Sequence, residues 1–195
     1  VKKVDVQYIL ERKIIEVLLL YGNRTEYFED LVLKENDNGE LTLEPIIQQA
    51  KVFEKVFLDL QDDEMQFSNP QFKSLYYTII DRLNQTSDFE LKTFINSVEP
   101  EIASEITTIL MEDERYSLDD WNRMNIYPKG KTHAVAQLVS ETILSLRVFL
   151  IDQKVKEFQE ETLQNKLDTN RSVLEEVKDY SSLKMLLSRK LNRVL

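Results

Sequence analysis

From Thr132 to Leu167 the chain holds neither glycine nor proline, while Val135, Leu138, Val139, Ile143, Leu146, Leu150, Val155, Phe158 and Leu163 recur along it. Apolar spacings of three and four without a breaker predict one uninterrupted helix. At about 1.5 Å per residue that helix is roughly 50 Å long, more than a small bundle covers from end to end. Its far end must project or find another partner.

A partner follows directly. Past the polar turn Asp168-Thr169-Asn170, residues Arg171 to Leu195 carry Val173, Val177, Tyr180, Leu183, Leu187, Leu191 and Val194 as a second apolar stripe. Short loops join antiparallel neighbours, so the tail is expected to be a helical hairpin standing off an N-terminal bundle. The chain divides on this reading into a bundle over residues 1–130 and a long helix with hairpin over residues 131–195.

The N-terminal part has the punctuation of short helices, since only three Gly and four Pro occur in 195 residues. Leu10, Ile14, Val17, Leu18 and Tyr21 predict a helix over Asp5 to Tyr21, with Gly22 as a left-handed stop. Between Thr25 and Pro45 a short helix or a small hairpin near residues 26–45 would both fit, because Leu41 and Leu43 alternate after an Asn36-Asp37-Asn38-Gly39 turn. Ile47, Ala50, Phe53, Val56, Phe57 and Leu60 predict a helix over Ile46 to Leu60. Asn69-Pro70 is a capping side chain followed by a first-turn proline, and Phe72, Leu75, Tyr76, Ile79, Ile80 and Leu83 form the face behind it. Shorter helices are expected at Glu90 to Ser97 and Pro100 to Met111, and a capped turn at Ser117 to Trp121 before the break Pro128-Lys129-Gly130. The fold class is therefore all-α, with at most one small β-hairpin.

The chemistry available is narrow. Without cysteine there is no disulfide, thiol nucleophile or thiolate zinc site. The one histidine, His133, lies near a helix start with no second ligand to complete a metal set, and reads as an ordinary helix residue. The runs Asp62-Asp63-Glu64 and Glu112-Asp113-Glu114 lack the glycine-punctuated spacing of a calcium loop and read as solvated turns. No glycine-rich phosphate loop or nucleophile elbow occurs, so no catalysis, metal or cofactor is expected. Trp121 is expected to plug the bundle, with an exposed anchor as the competing reading.

The net charge of −10 disfavours strong nucleic-acid binding, and no apolar run is long enough for a membrane span. A cytoplasmic setting is expected, and the missing initiator Met suggests a piece of something longer. Charge is unevenly placed: Arg171 to Leu195 hold six bases against three acids, whereas residues 1–170 hold nineteen bases against thirty-two acids. A basic last helix on an acidic body predicts a separate contact surface.

The stretch Tyr8 to Gly22, with Glu11-Arg12 ahead of a leucine-rich helix, resembles the opening of the C-terminal, helicase-binding domain of bacterial DnaG-type primases. Asp62 to Phe72 (DDEMQFSNPQF) is similar to the acidic loop and Asn-Pro helix start of Bacteroidetes-like members, and the Leu118 to Trp121 turn and Tyr180 to Leu195 follow in the same order. The resemblance covers nearly the whole chain. It implies a non-catalytic domain that docks primase onto the N-terminal domain of the hexameric DnaB-type replicative helicase during DNA replication, and modulates helicase and priming activity. In some related domains the acidic tail of single-stranded-DNA-binding protein is a second partner. An unrelated helical scaffold is the competing reading. Combined with the stripe and charge of the last helix, docking is expected to use Tyr180, Leu183, Leu186, Leu187 and Leu191 for apolar area, with Lys184, Lys190 and Arg193 steering.

Overall fold

A computed structural model describes residues 5–35, 41–111, 131–164 and 170–194. The fold is mainly helical with one two-stranded antiparallel sheet among the described residues. Helix α1 (Val6–Tyr21) begins where the Asp5 carboxylate accepts the Tyr8 amide at 3.1 Å, and it runs through the centre of the core on Ile14, Ile15, Val17, Leu18 and Leu19.

Gly22 ends α1, but not as a left-handed cap. Its φ and ψ of −49° and −40° are right-handed, and an added Cβ would lie 2.4 Å from the Leu18 carbonyl oxygen and 2.6 Å from Leu83 Cδ1. Glycine is needed there for close packing rather than for backbone freedom. Gly22→Ala is therefore expected to lower stability in urea unfolding by about 1–3 kcal/mol, the usual cost of overpacking. An unchanged midpoint would show that α1 and the Leu83 side chain can separate freely.

The chain then forms β1 (Thr25–Glu35) and β2 (Leu41–Lys51), with Thr25 opposite Lys51 and Glu35 opposite Leu41. This overturns the helix expected to start at Ile46, because residues 46–51 belong to β2. Two adjacent β-branched residues, Ile46 and Ile47, suit a strand, and the ladder to β1 satisfies their backbone. The change to helix is set by tertiary hydrogen bonds: the Val52 amide donates to the Arg24 carbonyl at 2.9 Å and the Phe53 amide to the Gly22 carbonyl at 3.0 Å. Helix α2 (Val52–Asp62) follows, and Glu64 takes a left-handed φ of 51° to turn the chain toward the next helix.

Helix α3 (Pro70–Gln85) starts as its sequence predicts, with Asn69 Oδ1 accepting the Gln71 and Phe72 amides at 2.8 and 3.2 Å. Helix α4 (Leu91–Ser97) and a helix over residues 100–111, α5, complete the bundle, burying Phe94, Ile106 and Ile109. The expected Ser117 to Trp121 turn, the Pro128-Lys129-Gly130 break, the run Glu112-Asp113-Glu114 and the His133 side chain lie outside the described residues.

Helix α6 (Lys131–Gln164) is unbroken and α7 (Asn170–Val194) returns alongside it. The N-terminal half of α6 is bundle core, with Val135, Val139, Ile143 and Leu146 buried against the same cluster as α1 and α3. Past Leu146 no described side chain of α6 is buried. A boundary at residue 130 thus falls ahead of a segment that the bundle core contains.

Candidate docking surface

Two segments singled out in the sequence meet in the fold. Glu11 is fully buried, and its carboxylate accepts the Ser68 amide at 2.7 Å and the Asn69 amide at 3.2 Å, with Gln7 Nε2 at 2.9 Å. The next residue, Arg12, donates from its guanidinium to the Ile109 carbonyl at 2.8 Å. The Glu-Arg pair is therefore a tie from α1 to the α3 entrance and to the end of α5.

At the foot of the hairpin, Arg147 pairs with Asp63 and lies 3.8 Å from Asp59, while Lys55 bridges Asp59 at 2.9 Å and Asp30 at 2.8 Å. Burial lifts the Asp59 carboxyl above the ordinary carboxylate range, and Lys55 and Arg147 offset this only in part. The pairs link α2, β1 and α6 across the foot of the hairpin. The acidic run Asp62-Asp63-Glu64 is a solvent-exposed turn, as its sequence suggests, and Asp63 within it pairs with the long helix.

The hairpin itself is closed by Phe158 on Tyr180, ring centroids 5.8 Å apart, and by an ion pair of Lys184 with Asp152. Helices α6 and α7 are antiparallel, because residues later in one pair with residues earlier in the other. The inward register of α7 is Val177, Tyr180, Lys184 and Leu187, all at least half-buried, with Leu187 only 9% exposed. Leu183 does not belong to it: the spacing of three, four and three selects Lys184, whose stem lies along the hairpin while its ammonium reaches Asp152.

The eight residues expected to dock a partner thus separate. Leu183 and Leu186, 45% and 41% exposed, are three positions apart and share an outer flank of α7. Tyr180 stacks on Phe158 and Lys184 pairs with Asp152, so both serve the hairpin, while Leu187 is buried. The side chains of Lys190, Leu191 and Arg193 lie outside the described residues. Sequence reading missed Met185, 59% exposed on another side of α7, because it falls off the apolar stripe.

The arrangement can bind by apolar contact and charge. Among the described residues no group of three or more histidines and carboxylates is placed to hold a metal ion. No helix among them is long and apolar enough to cross a membrane. No curated protein and no solved structure matches the chain. Its sequence fits one family over residues 1–194, and the chain belongs to that family, DUF8430, a domain of unknown function.

Proposed function

We propose that this chain is a non-catalytic docking domain of a DNA primase, and that its α6–α7 hairpin attaches primase to the N-terminal domain of the hexameric replicative helicase. The observation that carries the docking role is the outer flank of α7, where Leu183 and Leu186 stay exposed on a helix that packs on α6. Two leucines beside a basic helix end are what a groove on a partner protein recognises: apolar burial supplies affinity and Lys190 and Arg193 speed encounter. The identity of the partner rests on the resemblance of the Tyr8 to Gly22, Asp62 to Phe72 and Tyr180 to Leu195 stretches to the helicase-binding domain of DnaG-type primases.

Calorimetric titration of the chain into the cognate helicase N-terminal domain tests both parts. Binding is expected, and Leu183→Asp with Leu186→Asp should weaken it by about 2–3 kcal/mol, roughly 30- to 150-fold, with an unchanged helical spectrum. Removal of Asn170 to Leu195 should abolish it. If the intact chain shows no heat of binding, the helicase assignment fails; if the variants bind as well as the parent chain, the contact lies on the bundle.

A further inference from the structure

Helix α7 carries a second seam besides the one that faces α6. Glu176, Asp179, Leu183, Leu186, Lys190 and Arg193 follow one another at spacings of three and four. At about 3.6 residues per turn these positions occupy one side of the helix, about 100° wide. Glu176, Asp179, Leu183 and Leu186 are exposed, and positions 190 and 193 continue the seam along a helix that runs to Val194.

The order along the seam is two acids, two leucines, two bases. The helix dipole accounts for bases near the end of α7, but its reach ends within the first and last turns, whereas Glu176 and Asp179 are six and nine residues past Asn170. Reversed end for end, such a seam is its own complement. About a two-fold axis between Lys184 and Met185, an antiparallel copy of α7 sets Glu176 opposite Arg193, Asp179 opposite Lys190 and Leu183 opposite Leu186. A parallel copy would stack acid on acid and base on base, the arrangement that charge patterning in paired helices selects against.

We infer that α7 pairs antiparallel with α7 of a second copy of this chain through the seam, with the leucines of both copies at the centre and acid–base pairs on either side. The paired length is about 26 Å. Because α7 runs from the hairpin tip back toward the bundle, with Lys184 already level with Asp152, antiparallel pairing also holds the two acidic bundles at opposite ends. The fit singles out a copy of the same helix, since the sign, order and spacing of the charges all come from one sequence. The seam includes the Leu183 and Leu186 flank, so the dimer hides the surface assigned to docking; that consequence rests on the proposed function, whereas the pairing does not.

Sedimentation velocity of the intact chain alone, from about 10 μM to about 1 mM at low salt, tests the pairing. A dimer fraction that rises with concentration and fades with added salt is expected. Leu183→Asp with Leu186→Asp should leave a monomer throughout. Glu176→Lys with Asp179→Lys should weaken association about tenfold or more, although it takes the net charge from −10 to −6, two units per substitution, and so relieves general repulsion. Lys190→Glu with Arg193→Glu should weaken it likewise, and an equimolar mixture of the two charge variants should restore the dimer, which also shows that both are folded. A monomer at the highest concentration overturns the proposal. So does a dimer that survives the leucine substitutions, which would lie elsewhere on the chain, and so does one indifferent to the charge reversals, which leucine alone would hold. No helicase enters these measurements, so their failure and that of the helicase titration are independent.

Discussion

A chain ending at Gly130 is expected not to fold cooperatively, whereas one ending at Leu150 is expected to unfold in a single sharp transition. The difference lies in Val135, Val139, Ile143 and Leu146, which α6 inserts among the buried residues of α1 and α3. Full burial of an aliphatic side chain contributes about 1.5–3 kcal/mol, so the four together are worth about 6–12 kcal/mol. That is comparable with the whole stability of a domain, about 5–15 kcal/mol. Losing them also exposes the surfaces of α1 and β1 that α6 covers. Near-UV dichroism with urea titration separates the outcomes: the shorter fragment should lack fixed aromatic signals, the longer one should keep them. Cooperative unfolding of residues 1–130 would mean that α6 is an appendage and not a part of the core.

The second large effect is expected at Glu11. Replacing it with alanine leaves the Ser68 and Asn69 amides unpaired beside α1 and opens a void where a fully buried side chain stood. An unpaired buried donor costs about 1–3 kcal/mol, and bonds to a charged acceptor are at the upper end. With the void included, Glu11→Ala should lose about 3–5 kcal/mol in urea unfolding. Glu11→Gln keeps one acceptor oxygen and should lose less, about 1–2 kcal/mol. A loss under about 1 kcal/mol for the alanine variant would show that water replaces the carboxylate.

Glu11 also illustrates what the sequence makes legible. A glutamate between Leu10 and Arg12 reads as a solvent-facing residue of an amphipathic helix, since its partners are 57 and 58 positions away. The starts of α1 and α3 were legible because Asp5 and Asn69 act on amides two or three residues on, within reach of local pattern. The extent of β2 was not. Ile47, Ala50 and Phe53 fit a helix as well as a strand until β1 lies beside them, and a ladder is a non-local decision. On α7 the apolar stripe put Leu183 inside, yet the register is set by Asp152 and Phe158 on α6, which admits Lys184 and turns Leu183 outward. The sequence already points to Leu183 and Leu186 among the docking residues; the neighbour separates these two, which stay exposed, from Leu187, which is buried.

The unbroken backbone of α6 has a mechanical consequence. Between Lys131 and Gln164 there is no glycine or proline, so the helix has none of the usual causes of a kink. From Leu150 to Gln164 it forms an arm of roughly 21 Å, with Arg147 pinned to Asp63 near its base and Val135 to Leu150 held against the core below. Whatever grips the hairpin thus holds a stiff lever. A pull at the tip is delivered as torque to α1 and β1, and is not absorbed in a flexible joint.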